Sequence, residues 1–140
     1  MLNLCLTLQS EMKIPATKHT PLVEIDEAAY TVKISGVCIP ENAYVHFKSL
    51  EAWLNTLTPD KVEEVGFTFR LEYMNTLSSK AFLDYLRNVK DQKQIALKVI
   101  WEYYSDDEEM RDHGETFSEI TDIPFEYRVV DPEDRRISRN

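Results

Sequence analysis

The spacing of the hydrophobic residues changes several times along this 140-residue chain, and this pattern constrains the fold more than any other feature. Apolar and polar residues alternate over residues 20–36 and again over residues 65–73, which is the period of a half-buried strand. Between these two segments, apolar residues recur every three or four positions over residues 43–57, the period of an amphipathic helix. The pattern therefore predicts an α/β fold.

The remaining segments extend this alternation of strands and helices. In chain order we predict a hairpin over residues 20–36 with its turn at 26–29, a helix over 43–57 capped by Asn42, a strand over 65–73, a helix containing Phe82, Leu86 and Val89, a strand over 95–104, an acidic helix over 106–120 and a strand over 124–130. The order ββαβαβαβ predicts one mixed sheet of about five strands with three main helices packed on it. We expect this single domain to span residues 13–130, between an N-terminal extension (residues 1–12) that is flexible and a charged C-terminal tail (131–140).

The charges of the chain argue against nucleic-acid binding. The chain has 25 acidic and 16 basic side chains, a net charge of −9, whereas binding to phosphates needs a basic face. Residues 102–134 carry 13 of the acidic and only 2 of the basic side chains. The acidic helix in this region has a thin apolar stripe of Met110, Phe117 and Ile120, and we expect it to be solvated or to meet a basic partner surface.

The sequence favours a cytoplasmic protein that does not insert into a membrane. It contains no apolar run near the 18–20 residues that a membrane span needs. The first eight residues lack the basic region of a secretory signal. Cys5 and Cys38 are too few for a disulfide framework and have apolar neighbours, so we expect both to be buried free thiols.

Residues typical of enzymes and metal sites are scattered along the sequence. His19, His46 and His113 lack the spacing of metal ligands, and the 3 glycines are too few for a phosphate-binding loop. The acids at 106–109 lack the ligand spacing and glycine of an EF-hand, and acids in a first helical turn complement the helix dipole. We therefore predict no catalytic residues, no metal and no cofactor.

One segment is unusual for a purely structural role, because it places three hydroxyl groups at the start of a predicted helix. Thr76, Ser78 and Ser79 follow the strand that ends near Tyr73. Such hydroxyls often cap a helix. The same position also favours a phosphate, because unpaired N–H groups and the helix dipole attract anions, and Lys80 could help to neutralise the charge. Both interpretations are open on this evidence.

Two motifs resemble a known family. The sequence YMNTLSSKA at residues 73–81 resembles the phosphoacceptor segment of the SiaC family of bacterial regulatory phosphoproteins, and PENAY at residues 40–44 resembles the start of that family's first helix. The resemblance extends from about residue 13 to residue 130. It is also carried by shorter pieces: Thr20-Pro21, Trp101-Glu102-Tyr103, Gly114-Glu115 and Pro124-Phe125.

The resemblance implies a STAS-like domain, related in design to anti-sigma-factor antagonists, that works as a switch. A histidine-kinase-type ATPase would phosphorylate a threonine, and a PP2C-type phosphatase would remove the phosphate. The unphosphorylated form would bind and activate a diguanylate cyclase and so promote cyclic-di-GMP-dependent biofilm formation. Thr76 would be the acceptor. The residues implied in phosphate or partner contact are Glu41, Asn42, Met74, Asn75, Leu77 and Lys80.

The match to the family has one departure beside the acceptor. Leu77 and Ser79 stand where the family has serine and isoleucine, so Ser78 and Ser79 are alternative acceptors. An alternative function, of a different class, is that of a constitutive interaction or scaffold module in which Thr76 only caps its helix. A small-molecule-binding STAS-like domain would need a convergent set of polar residues, which the sequence does not offer.

Overall fold

A computed structural model describes residues 11–135 of the chain. Its elements are β1 (Glu11–Ile14), β2 (Leu22–Asp26), β3 (Thr31–Cys38), α1 (Ala43–His46), α2 (Lys48–Thr56), β4 (Glu64–Met74), α3 (Thr76–Arg87), a π-helical turn (Asn88–Gln92), β5 (Ala96–Tyr104), α4 (Glu108–Thr121) and β6 (Glu126–Val130). The predicted α/β class is confirmed.

The strands form one mixed sheet with the order β1-β2-β3-β4-β5-β6. The pairs β1–β2 and β2–β3 are antiparallel, and the pairs from β3 to β6 are parallel. The sheet has six described strands where the sequence predicted about five, because β1 is only four residues long and its alternation is too short to stand out. Glu11 and Met12, placed in the extension by the sequence, begin β1. Residues 1–10, including Cys5, and residues 136–140 of the predicted tail lie outside the described residues.

The core lies on one face of the sheet, beneath the helices. Strand residues of one parity, among them Ile34, Phe69 and Trp101, are fully buried, while Glu24 and Lys33 belong to the opposite, polar face. The predicted stripe of the first helix is also confirmed, because all five of its members are buried: Ala43, Phe47, Leu50, Leu54 and Leu57.

Two predicted helices differ in detail from the observed ones. The segment predicted as one helix over residues 43–57 forms two, α1 and α2, which meet at Phe47, although Asn42 caps the first of them as predicted. The predicted stripe of the acidic helix is wrong at Ile120, which is 44% exposed. The buried face of α4 instead contains Gly114, because the Trp101 ring occupies the space where a side chain would lie.

Candidate functional site

The two motifs of the sequence come together at the carboxyl ends of β3 and β4. These strands are parallel neighbours, and Cys38 pairs with Met74 at their ends. A β-bulge between Gly36 and Val37 sets this register, and Gly36 adopts a φ of 106°, which strongly favours glycine. Each strand leads through a short connection into a helix, so residues 40–44 and 73–81 occupy the same edge of the sheet.

Asn75 makes three hydrogen bonds at this edge of the sheet, and one of them joins the two motifs. Its side-chain Nδ2 donates to the carbonyl oxygen of Pro40 at 2.9 Å, and its backbone N–H donates to the carbonyl oxygen of Cys38 at 3.0 Å. Its Oδ1 accepts the backbone N–H of Ser78 at 2.9 Å, which caps α3. The interpretation that Thr76 caps this helix is therefore wrong, since Asn75 is the cap.

Thr76 is the first residue of α3, and its side chain is exposed. Its hydroxyl makes no hydrogen bond with any residue of the described chain. A helix of 12 residues concentrates partial positive charge at this end, so an anion on the Thr76 oxygen would be stabilised. Lys80 is exposed one turn further along, at the i+4 position that faces Thr76 on a helix surface.

The other two hydroxyls of the segment have different surroundings. Ser79 is half-buried, whereas Ser78 is 0% exposed and lies beside the thiol of Cys38. Burial raises the pKa of the Cys38 thiol to about 11, an effect that the nearby Ser78 hydroxyl partly opposes. Cys38 is therefore a buried neutral thiol, as predicted, and not a nucleophile.

Several exposed apolar side chains lie at the same edge of the sheet as Thr76. We call Ile39, Val45, Tyr73 and Leu77 the apolar rim; they come from the ends of β3 and β4 and from the first turns of α1 and α3. Val45 and Tyr73 are 67% and 64% exposed. Grouped exposed apolar residues are typical of protein interaction sites.

The six predicted contact residues differ in their exposure and in their hydrogen bonds. Glu41, Leu77 and Lys80 are exposed, and Met74 packs partly against the core. Asn42 is exposed, but its Oδ1 accepts the backbone N–H of Val45, and Asn75 is committed to the bonds described above. Three residues of the apolar rim, Ile39, Val45 and Tyr73, were not among the predicted contact residues. For Val45 the signal was available, because an apolar residue that falls off the buried stripe of a helix must face outward.

The acidic helix also reaches this edge of the sheet. Because β5 lies beside β4, the start of α4 brings Asp106 and Asp107 next to Glu72 and Tyr73 around a cavity of about 300 Å³. Arg135 lies among these acids, with its Nη2 3.0 Å from Asp106 Oδ1. The acidic region is distant from Thr76 in the sequence, but in the fold its first residues lie beside Tyr73, three positions before Thr76.

The site consists of an exposed hydroxyl and exposed apolar side chains. Within residues 11–135, no group of three or more His, Cys, Asp and Glu side chains is arranged to hold a metal ion. None of the helices in the described part of the chain has the length and apolar character needed to cross a lipid bilayer. Fold and site together define a small α/β domain that presents a hydroxyl-bearing helix start within an apolar surface.

Comparison with known proteins identifies the family. The model of the SiaC family regulatory phosphoproteins matches residues 14–130. The chain therefore belongs to the SiaC family, as its motifs predicted.

Relatives in Pseudomonas aeruginosa agree with this assignment. An uncharacterised protein of strain UCBPP-PA14 is 30% identical over 124 residues, which are 87% of this chain and 98% of the relative. The structure of the diguanylate cyclase SiaD in complex with its activator SiaC contains a chain with a TM-score of 0.77 and 28% identity, covering 85% of this chain and 99% of that chain. A separate structure of SiaC gives a TM-score of 0.75 at 28% identity, covering 86% and 99%.

Proposed function

We propose that this protein is a cytoplasmic, non-catalytic switch that is controlled by reversible phosphorylation of Thr76. In its unphosphorylated form it binds and activates a diguanylate cyclase, and phosphorylation prevents this binding. The observation that carries the proposal is the position of Thr76, an exposed and unbonded hydroxyl at the start of a 12-residue helix, at the same edge of the sheet as the apolar rim. The activator role of the similar SiaC toward SiaD supports the choice of partner.

Accessibility favours Thr76 over the two alternative acceptors. A kinase must bring the acceptor oxygen into its own active site, so the oxygen has to project from the protein surface. Ser78 is fully buried and could be modified only if α3 partly unfolded, while Ser79 is half-buried. Ser79 is therefore the remaining alternative acceptor.

The unphosphorylated and phosphorylated forms differ in the electrostatic cost of covering this surface with a partner. Without phosphate, the apolar rim and a neutral hydroxyl can be covered by a partner at little electrostatic cost. A phosphate adds a charge of about −1.5 to −2. In the free protein, water, Lys80 and the start of α3 stabilise this charge, so the fold is retained. In the complex the phosphate would lose its water, which is unfavourable unless the partner supplies compensating groups.

The magnitude of this effect is sufficient for a switch. Leaving one charged group buried and unpaired in an interface costs about 2–5 kcal/mol. Since 1.4 kcal/mol corresponds to about tenfold in affinity, even the lower figure weakens binding by about thirtyfold. A histidine-kinase-type ATPase would add the phosphate and a PP2C-type phosphatase would remove it, coupling both enzymes to cyclic-di-GMP synthesis and biofilm formation.

Variants at Thr76 test the proposal directly. Asparagine has nearly the same shape as aspartate but carries no charge, so Thr76→Asn is the matched control for Thr76→Asp. We expect Thr76→Asp to bind the cyclase at least about thirtyfold more weakly than Thr76→Asn in a titration. Equal affinities would instead indicate a constitutive interaction module.

Mapping of the phosphate tests the acceptor separately. Incubation with the cognate kinase and ATP should add one phosphate, and fragment spectra should place it on Thr76. The Thr76→Ala variant should remain unmodified, and Ser79→Ala should be modified like the wild type. A phosphate on Ser79 in the wild-type protein would move the site.

A further inference from the structure

A second polar site lies on the helical side of the domain, between α2 and α3. It is a cavity of about 180 Å³ that we call the helix pocket, and its polar lining residues are Tyr44, Glu51, Asn55, Asp84, Tyr85 and Asn88. Neither the phosphorylation of Thr76 nor the apolar rim requires this arrangement of side chains.

The most informative group in the helix pocket is the hydroxyl of Tyr85. The residue is only 4% exposed, and its hydroxyl has no hydrogen-bond partner within residues 11–135. Buried hydroxyls nearly always have a partner, because an unsatisfied one costs about 1–3 kcal/mol. Burial and then the charges around it, from Glu51 and Asp84, raise the pKa of Tyr85, so the hydroxyl stays neutral beside these carboxylates.

The carboxylates of the pocket also lack a cation. Neither Glu51 nor Asp84 forms an ion pair with any residue of the described chain. Asp84 Oδ2 accepts a hydrogen bond from the hydroxyl of Tyr44 at 2.6 Å, which raises the pKa of Tyr44 to about 12. Lys93 donates its Nζ to the backbone oxygens of Asn55 and Leu57 and not to either carboxylate. The pocket therefore carries two negative charges, a free phenol oxygen and amide oxygens, all of which accept hydrogen bonds.

We propose that the helix pocket binds the guanidinium group of an arginine from a partner protein. A guanidinium has five N–H donors in a plane and no acceptor, which complements this set of acceptors. It can also stack on a tyrosine ring. The Tyr85 oxygen, which has no partner within the described residues, would accept one of the guanidinium N–H groups.

The size and position of the helix pocket favour a side chain of a partner protein over a free small molecule as its ligand. Sites for free small molecules usually have volumes of about 300–1,000 Å³, whereas 180 Å³ is enough for the end of one side chain. Tyr44 is followed by Val45 of the apolar rim, so a partner seated on the rim can reach the pocket. The pocket exists whether or not Thr76 is modified, so the failure of one proposal leaves the other standing.

Propylguanidinium, which reproduces the end of an arginine side chain, is the probe for this site. In an NMR titration of the full chain we expect saturable shifts of the amides around Tyr44, Glu51, Asp84 and Tyr85. Propylurea, which has nearly the same shape but no charge, should give none. Saturable shifts with both probes, or with neither, would overturn the proposal, and so would shifts spread evenly over the surface.

Two variants assign the binding to the pocket groups. Asp84→Asn removes a charge from an exposed helix position, and Tyr85→Phe removes only the unpaired hydroxyl, so both should fold. Each should weaken propylguanidinium binding by about three- to tenfold. Unchanged affinity for propylguanidinium in both variants would contradict the proposal. A structure determined with the probe present would also contradict it if the Tyr85 hydroxyl were hydrogen-bonded to a water and the pocket held no guanidinium.

Discussion

Replacing Gly114 with alanine is expected to destabilise the domain, although alanine is the better helix former. A Cβ atom at this position would lie 2.5–2.7 Å from three atoms of the Trp101 indole, whereas carbon atoms pack at about 3.5–4.0 Å. The ring cannot move away easily. Its Nε1 donates to the carbonyl oxygen of Met110 at 2.9 Å, and it packs against Phe69 and Phe117 with ring centroids 5.2 and 5.3 Å away.

The expected decrease in the free energy of unfolding is the net result of two opposing effects. Overpacking of a tight core costs about 1–3 kcal/mol, and the upper part of this range applies because the ring is held on several sides. Alanine in place of glycine stabilises a helix by about 1 kcal/mol. The net loss is therefore about 1–2 kcal/mol, which lowers the melting temperature by about 2–8 °C in a domain of this size.

Urea denaturation followed by circular dichroism measures this loss. Thr116→Ala, at an exposed position two residues further along α4, is the matched control and should be neutral or slightly stabilising. In a Trp101→Leu background the effect of Gly114→Ala should shrink, since the smaller side chain leaves room. A Gly114→Ala protein as stable as the wild type, or more stable, would refute the packing argument.

Three further predictions concern the site. Asn75→Ala should lower the free energy of unfolding by about 1–3 kcal/mol in urea denaturation, because it removes the helix cap and the bond to the loop after β3. Asn75→Asp keeps the cap acceptor, so its free energy of unfolding should fall by less. In a Cys5→Ser background, Cys38 should react with a thiol reagent at neutral pH only as fast as the protein unfolds, and fast labelling of native protein would contradict its burial. Since its pKa is raised in the folded state, the contribution of Cys38 to stability should be constant below about pH 8.5 and fall between there and about pH 11, measured as the difference from a Cys38→Ala variant. Once Thr76 is phosphorylated, Lys80→Met should raise the second pKa of the phosphate in a phosphorus NMR titration by a few tenths of a unit, and an unchanged value would show that Lys80 does not contact it.

Local spacing was enough to predict most of the elements. The period-two and period-3.6 patterns each depend on one buried face, and the residues that carry them, such as Phe69, Leu50 and Phe82, are buried. The errors lie where tertiary contacts decide the outcome. Gly114 belongs to a buried face only because Trp101 fills the space above it, and no helical period can reveal a buried glycine.

The candidate site was predictable in its location more than in its details. The order of strand, loop and helix placed Thr76 at a helix start, as observed. Which residue caps the helix depends on the side-chain geometry of Asn75, which also bonds to Pro40, 35 positions earlier in the sequence. The nearness of Asp106 to Tyr73 follows from the pairing of β4 with β5, which the element order alone leaves open.

The most direct test of the central claim is the activity of the cognate diguanylate cyclase with this protein in its two forms. Cyclic-di-GMP synthesis should rise on addition of the unphosphorylated chain and stay at the basal rate with the Thr76-phosphorylated chain. Treatment with a PP2C-type phosphatase should restore activation. Equal activation by both forms, at concentrations where the unphosphorylated chain saturates the cyclase, would contradict the proposed switch.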